Sequence, residues 1–310
     1  MSRGLLIAIL AIPALLLSAC GATMGPTPAQ TPPDSALKVL AVETFLADMA
    51  QNVAGSRLTV TALLPTGVDP HSFEPSPADV AKVANSDVLI VNGAGFEAFL
   101  EGLLRNAGGQ RRVIEASAGL SSRVPRQGEQ APQEGGDPHY WLDASNAIRY
   151  AENIRDGLSQ ADPDGTATYG ANTQAYVAQL KELDAWIAEQ VQQVPPERRL
   201  LVTNHESFGY FADRYGFTII GAIVPSVSTE ASPSAQQLAR LVDSIKASGA
   251  SAIFLETGTN PQLAQQVAQD TGVKVVTGLY THSVSQAGGP APTYIEMMKY
   301  NTRAIVEALK

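Results

Sequence analysis

From residue 36 onwards, short runs of apolar and β-branched residues alternate with longer stretches in which apolar positions follow a helical spacing. Short apolar runs bounded by turn residues are typical of buried strands. Four strands are predicted before a long gap and four after it, at 38–42, 58–63, 87–91 and 112–115, and at 200–204, 218–224, 252–256 and 274–277. The pattern therefore predicts two blocks of strands separated by one long segment.

Helices are predicted between most of these strands. Residues 77–84 are an example, because Ser76 can cap a helix there and Pro77 suits its first turn. Strands that alternate with helices indicate parallel sheets covered by helices on both faces. We therefore predict an α/β fold of two lobes, each with a mostly parallel four-stranded sheet flanked by helices.

The long gap contains a helical stripe of apolar residues with spacings of 4, 3, 4, 4 and 3, formed by Tyr176, Leu180, Leu183, Ile187, Val191 and Val194. The segment Asp162-Pro163-Asp164 can start this helix, and Pro195-Pro196 must end it. About 28 residues would span about 42 Å, which is enough to join two lobes, although an ordinary surface helix has the same periodicity. The predicted boundaries are an N-terminal lobe at 36–160, a linking helix at 161–195 and a C-terminal lobe at 196–310.

The N-terminus has the pattern of an export signal. Arg3 precedes an apolar run over residues 5–17, and small residues lead to Cys20, the single cysteine. The run is too short for a membrane span. Cys20 lies where bacterial lipoproteins carry an acylated cysteine, so we predict a signal peptide at 1–19; a plain signal peptide with an incidental cysteine is the alternative. Residues 20–35 then predict a lipidated cysteine and a flexible tether rich in Pro, Gly and Thr.

Composition narrows the function classes. The 310 residues are 45% hydrophobic and 16% charged, as in an ordinary globular chain. A net charge of −9 argues against a nucleic-acid partner, which would need clustered Lys and Arg. One cysteine excludes a disulfide framework and a cysteine-rich zinc motif. With the export signal, these features predict an extracytoplasmic protein that a lipid anchors to the cell membrane.

The four histidines are the informative residues. They are His71, His139, His205 and His282, and each lies at or after the end of a predicted strand, two in each lobe. Ligands of open parallel α/β sheets bind beyond the carboxyl ends of the strands. A lone histidine is usually an ordinary surface or hydrogen-bonded side chain, but four at strand ends and none elsewhere favour a metal site. Imidazole nitrogen suits Zn²⁺, Cu, Ni and Fe, whereas Mn²⁺ favours oxygen.

Carboxylates near the histidines are candidates for an outer shell around the metal. Asp-Pro precedes both His71 and His139, and a carboxylate is the usual partner of the second nitrogen of a metal-bound histidine. Asp69 and Asp137 therefore have either this role or that of a turn cap. Glu206, which directly follows His205, is the third candidate.

Five segments together resemble the substrate-binding lipoproteins of zinc and manganese ABC importers, over nearly the whole mature length. They are 67–77 (GVDPHSFEPSP), 92–97 (NGAGFE), 137–143 (DPHYWLD), 205–211 (HESFGYF) and 294–301 (YIEMMKYN). The resemblance implies two α/β lobes joined by one long rigid helix, with the metal in the cleft between them. It also implies a transport protein that is not an enzyme, which captures Zn²⁺ or, as second choice, Mn²⁺ and delivers it to an ABC-transporter permease. We expect it to act as a monomer.

The family carries histidine at the positions of His71 and His139, histidine or glutamate at that of His205, and commonly aspartate where this chain has His282. The departure suggests an all-imidazole site and favours Zn²⁺, since two carboxylates are missing. Alternatively, the ring of His282 points away and water or a carboxylate completes the site, with Glu206, Glu230 and Glu256 as the candidates. The chain also lacks the long histidine-rich loop that many zinc-binding members insert near 122–136.

Other functions are weaker interpretations. An exported zinc hydrolase would use three histidines for zinc and Glu206 or Glu74 as general base, but no His-Glu-x-x-His motif is present. The segment Gly93-Ala94-Gly95 resembles a relaxed dinucleotide fingerprint, yet Glu97 would place negative charge where the pyrophosphate should lie. An adhesin role is open, but no residue points to a host ligand.

Overall fold

The computed structural model describes Met1 and residues 37–124 and 136–310. The predicted signal peptide, Cys20 and the tether lie outside the described residues, as does most of the polar loop at 122–136. Among the described helices, none has the length and apolar character needed to cross a membrane.

Residues 37–124 and 136–161 form a parallel four-stranded sheet with helices around it. Its strand order is β2-β1-β3-β4, and all three strand pairs are parallel. The elements are β1 Val39–Ala41, α1 Thr44–Ala54, β2 Val60–Ala62, α2 Pro77–Ala84, β3 Val88–Val91, α3 Leu100–Ala107, β4 Arg112–Glu115 and α4 Asn146–Ala161. Helix α2 begins as predicted, since Ser76 and Asp79 cap each other's backbone N–H groups in a capping box.

The predicted long helix is α5, Thr166–Val191. It is shorter than the predicted 161–195 at both ends. At its start, Pro163–Gly165 form a 3-10 turn, and at its end the N–H groups of 192–194 bond three residues back, which tightens the chain before the prolines. All six residues of the predicted apolar stripe are buried, so the periodicity prediction is confirmed.

Residues 200–309 repeat the first architecture with the strand order β6-β5-β7-β8, again with parallel pairs throughout. The elements are β5 Leu200–His205, α6 Gly209–Tyr215, β6 Thr218–Val224, α7 Ala235–Ser248, β7 Ala252–Glu256, α8 Gln262–Thr271, β8 Lys274–Leu279 and α9 Tyr294–Leu309. Both sheets therefore have one topology, and the predicted α/β fold of two four-stranded parallel sheets linked by a long helix is confirmed.

The predicted strands differ from the observed ones mainly by a residue or two at their ends. Strands β1, β2 and β3 are shorter than 38–42, 58–63 and 87–91, while β5 and β8 run one and two residues further than predicted. The extension of β5 matters most, because it makes His205 part of the strand.

A continuous apolar core joins the two halves. Helix α5 packs against α1 and α4 of the first half and against α9 of the second. Buried side chains of all four helices belong to the same core cluster, among them Met49, Tyr150, Leu180 and Met297. This shared core fixes the position of one sheet relative to the other. It therefore determines which side chains meet beyond the carboxyl ends of the strands.

Candidate metal centre

His205 and His139 are the most deeply buried histidines, and both are fully enclosed. His205 is the last residue of β5, in the middle of the second sheet. His139 follows β4 and begins a 3-10 turn at Tyr140–Leu142. His71 lies in the loop after β2, and His282 lies three residues beyond β8; each is 8% exposed. All four side chains thus come from the carboxyl ends of strands, as expected for a parallel α/β sheet.

Each Asp-Pro-His segment forms a local turn. The Oδ1 atoms of Asp69 and Asp137 accept the backbone N–H of the histidine two residues later, each at 3.0 Å. The Oδ1 atom of Asp137 also lies 2.9 Å from Nδ1 of His139. Asp137 therefore caps its turn and also contacts the second ring nitrogen of His139, whereas Asp69 shapes its turn and approaches a different ring, with 3.8 Å between its Oδ1 and Nδ1 of His282.

The four rings converge on one point. Nε2 of His139 is 3.4 Å from Nε2 of His71 and 3.2 Å from Nε2 of His205. One ligand nitrogen from each of the four histidines lies within 4.8 Å of the other three. In a tetrahedral zinc site with Zn–N bonds of about 2.0–2.1 Å, neighbouring nitrogens are about 3.3 Å apart. The two pairs that include His139 have this spacing, whereas the full set of four nitrogens spans up to 4.8 Å.

The second nitrogens of three rings face carboxylates. Besides the contact of His139 with Asp137, Nδ1 of His205 is 2.7 Å from Oε1 of Glu256, outside the alignment of a good hydrogen bond. Nδ1 of His282 is 3.7 Å from Oε2 of the same Glu256. Nε2 of His282 is buried and has no hydrogen-bond partner among the described residues. With its proton on Nδ1, the nitrogen that faces Glu256, a neutral His282 presents the lone pair of Nε2 to a cation.

The protonation states suit a metal ligand set. Burial lowers the pKa of His71 and of His282 to about 3, and proximity to His205 contributes in both cases. Burial and the neighbouring rings hold the pKa of His139 well below its usual range. For His205, burial acts to lower the pKa. The charge and contact of Glu256, together with the charges of Asp69 and Asp137, outweigh burial, so the net pKa is raised above its usual value. Three rings are neutral at pH 7.

Aromatic side chains enclose the histidines. Phe96 packs edge-on against His71 and lies beside His139, with ring centroids 5.0 and 5.7 Å apart. Trp141 lies 5.3 Å from His139 and stacks on Phe45 on its other side. These apolar walls exclude water from the rings, which strengthens electrostatic interactions inside the site.

Sequence reasoning missed Glu256 as the shared partner of two histidines and named Glu206 in its place. Glu206 lines a neighbouring cavity together with Asp137 and Arg240. The carboxylate at Nδ1 of His205 is instead Glu256, which comes from the adjacent strand β7. Its position at the end of a predicted strand was the available signal. Glu74 and Glu230, considered as a general base and as a fourth ligand, are exposed.

The glycine-rich segment after β3 does not offer an anion site. Oε1 of Glu97 accepts the backbone N–H of Asn92 at 2.5 Å, and Oε2 accepts that of Gly93 at 3.1 Å. A carboxylate of the chain itself therefore accepts the first N–H groups of this segment and places negative charge there, which argues against the dinucleotide interpretation.

Comparison with known proteins shows the family to which the chain belongs. The family model described as "Zinc-uptake complex component A periplasmic" matches residues 39–308. The chain belongs to this family. Relatives with similar sequences include the manganese-binding lipoprotein MntA of Halalkalibacterium halodurans, 36% identical over 301 residues and covering 97% of each chain. The iron ABC transporter substrate-binding lipoprotein MtsA of Streptococcus pyogenes is 32% identical over 300 residues, covering 95% of this chain and 94% of the relative.

Solved structures of the family have the same fold. A Mn-bound periplasmic metal-binding protein from Candidatus Liberibacter asiaticus is 28% identical, with a TM-score of 0.78, and covers 88% of this chain and 100% of its own. The periplasmic zinc-binding protein TroA from Treponema pallidum gives the same identity, TM-score and coverage of this chain, with 99% of its own. The chain is thus a member of a family of binding proteins and not an enzyme.

Proposed function

We propose that this protein captures a Zn²⁺ ion outside the cytoplasm and delivers it to the permease of an ABC importer. The ion is the cargo, and the ligands are the Nε2 atoms of His71, His139, His205 and His282. The observation that carries the proposal is the convergence of four buried imidazoles from both halves of the chain, with one ligand nitrogen of each within 4.8 Å of the others. The family membership supports transport as the purpose of such a closed site.

The ligand chemistry favours Zn²⁺ over Mn²⁺. Relatives bear names for manganese and iron, and TroA bears one for zinc, so the family as a whole accommodates several metals. Imidazole nitrogen binds Zn²⁺ well, whereas Mn²⁺ favours carboxylate oxygen. Because His282 contributes a nitrogen, a purely nitrogen-based ligand set results. Mn²⁺ then ranks as the second choice of cargo.

The cellular arrangement follows from the N-terminus and the relatives. Relatives of the chain are lipoproteins of metal ABC transporters. In the proposed form, residues 1–19 are removed, Cys20 is acylated, and residues 20–35 tether the monomeric body beside the permease. The body consists of lobes 36–160 and 196–310 joined by the helix segment 161–195. A Cys20→Ser variant should be released from the membrane fraction with its metal affinity unchanged.

Substitution of His282 tests the proposed ligand set. We expect His282→Ala to weaken Zn²⁺ binding strongly, at one ion per chain, in competition with a chromophoric chelator at pH 7.5. His282→Asp should weaken Zn²⁺ binding less and narrow its advantage over Mn²⁺, because it restores an oxygen ligand. Glu230→Gln is the matched control, since Glu230 is exposed on the same half of the chain. Unchanged Zn²⁺ affinity in His282→Ala would remove this ring from the site.

A further inference from the structure

The topology of the second sheet places one carboxylate between two of the histidines. Strand β7 lies between β5 and β8 in the order β6-β5-β7-β8. Thr203 of β5 is paired with Phe254 of β7, so the residues two positions further, His205 and Glu256, end neighbouring strands at the same edge. On its other side Glu256 pairs with Leu279 at the end of β8, three residues before His282. Strand β7, which lies between β5 and β8, thus ends in the acidic residue Glu256, whereas β5 ends in His205 and β8 in Leu279.

Glu256 uses its two oxygens on two different rings. Oε1 lies 2.7 Å from Nδ1 of His205, and Oε2 lies 3.7 Å from Nδ1 of His282. Ser207 donates its hydroxyl to Oε1 at 3.2 Å and so helps to hold the carboxylate. All these side chains are buried. For His205, the nitrogen that faces Glu256 is thus not the Nε2 atom that lies close to His139.

A buried set of four neutral imidazoles lacks the charge to balance a divalent cation. Enclosing an uncompensated ion away from water is costly, so a closed site of this kind needs negative charge nearby. The carboxyl of Asp137 adjoins His139 of the first half, and Asp69, whose side chain is 34% exposed, accepts the hydroxyl of Thr229. Glu256 is buried and adjoins both ligands of the second half.

We infer that Glu256 is a positioning residue of the metal centre, which orients the rings of His205 and His282 and supplies the fixed negative charge that four neutral ligands lack. The inference rests on the proposed function, since it assigns a role toward the ion that those histidines would hold. It also accounts for the change at position 282. The family commonly has an aspartate where this chain has His282. Glu256, which lies at Nδ1 of His282, supplies the negative charge of the missing aspartate.

Two substitutions separate the charge of Glu256 from its shape. Glu256→Gln keeps the shape and removes the charge, whereas Glu256→Asp keeps the charge on a shorter side chain. We expect Glu256→Gln to bind one Zn²⁺ per chain with a Kd raised about 10- to 100-fold, as is usual for outer-shell partners of metal ligands. The Kd of Glu256→Asp for Zn²⁺ should rise less, and the Kd of the control Glu230→Gln should stay within about twofold of the wild-type value. A Kd for Glu256→Gln within about threefold of the wild type, or a larger loss in Glu256→Asp than in Glu256→Gln, would overturn the inference.

A second readout does not depend on metal. In the metal-free protein, ring ¹⁵N signals of His205 and His282 should move in Glu256→Gln and stay in place in Glu230→Gln. If the wild type failed to bind one Zn²⁺, the proposed function would be wrong, while these signals would still report whether Glu256 positions the rings. Unmoved signals would overturn the inference and leave the proposed function intact.

A milder variant covers the case in which Glu256→Gln does not fold. Ser207→Ala removes the hydroxyl that holds Oε1 and leaves every histidine and carboxylate in place. Losing one hydrogen bond should raise the Kd for Zn²⁺ by about two- to tenfold. An unchanged Kd together with unmoved ring signals of His205 would count against the positioning role.

Discussion

Trp141 donates its indole N–H to the carbonyl oxygen of Thr281 at 2.8 Å. Trp141 follows His139 by two residues, and Thr281 directly precedes His282. This buried hydrogen bond therefore ties a ligand segment of the first half to one of the second. Tyr294 adds to the same connection, since its hydroxyl donates to the carbonyl oxygen of Trp141 at 2.6 Å. The relative position of the candidate ligands is thus set by bonds outside the metal centre.

The first prediction concerns Trp141→Phe. The change leaves the buried carbonyl of Thr281 without its donor, so the free energy of unfolding should fall by about 1–3 kcal/mol. Zn²⁺ affinity should fall as well, because His282 loses its anchor to the segment of His139. Denaturant unfolding and chelator competition measure the two effects. The matched control is Trp186→Phe, in the half-buried second tryptophan on α5. Equal effects of both substitutions on affinity would speak against the anchor.

The second prediction concerns pH. Metal must displace a proton from His205, whose pKa is raised because Glu256, Asp69 and Asp137 outweigh its burial. Burial holds the pKa of His71 and of His282 at about 3, so their rings are neutral above pH 5. Affinity should therefore fall as the pH falls through the raised pKa of His205, by about one log unit per pH unit.

Calorimetry in buffers of different ionisation enthalpy measures this linkage directly. Below the pKa of His205, binding of Zn²⁺ should release about one proton per ion. His282→Ala should keep the same slope at lower affinity, since its ring carries no proton in this range. An affinity that is constant from pH 5 to pH 8 would contradict the assignment of the proton to His205.

The third prediction concerns the release of the ion. Thr229 donates its hydroxyl to Oδ2 of Asp69, which links the loop after β6 to the loop that carries His71. Gly67 adds a second link between the halves, because its N–H donates to the hydroxyl of Ser283 at 3.1 Å. Thr229→Val removes the first link without touching a candidate ligand, so Zn²⁺ should dissociate several-fold faster. Thr229→Ser keeps a hydroxyl, so Zn²⁺ should dissociate from it at the wild-type rate. Stopped-flow transfer of Zn²⁺ to a chelator compares the dissociation rates of the two variants.

The fourth prediction concerns the buried carboxyl of Glu43. Burial raises its pKa well above the usual value, and the nearby charge of Glu97 raises it further. Within the described residues, neither carboxyl oxygen has a hydrogen-bond partner. The unfolded chain ionises this group near pH 4.3, so its contribution to stability declines as the pH rises from there through the raised pKa of the folded state.

Glu43→Gln cannot ionise and should escape this decline. It should match the wild type near pH 4 and be more stable at pH 8, by about 1–3 kcal/mol. Thermal unfolding at both pH values, on the metal-free protein, measures the difference. Glu189→Gln, at an exposed position on α5, should show no such trend. A constant difference between the Glu43 variant and the wild type across this range would be the contradicting result.

Much of the fold could be predicted from local patterns. The strands at 218–224 and 252–256 have the predicted bounds, because strands of parallel sheets covered by helices are short and almost continuously apolar. The ends of α5 were less accurate, since the residues beside Pro163 and Pro195 leave the α-helix through 3-10 bonds that composition does not specify. The order of the strands within each sheet could not be predicted from the pattern of apolar and polar residues. It depends on which apolar faces pack together across long sequence separations.

By itself, the sequence determined the α/β class, the long helix and the candidate metal ligands, because strand ends of parallel sheets share one edge and the four histidines lie just there. The ligand role of those histidines stays a prediction. Only the tertiary structure decided that β7 separates β5 from β8, which places the carboxylate of Glu256, and not that of Glu206, at Nδ1 of His205. It also decided that Trp141 bonds Thr281. The physical reason is that hydrophobic periodicity records whether a residue is buried, whereas the partner of a buried polar group depends on the packing of distant elements.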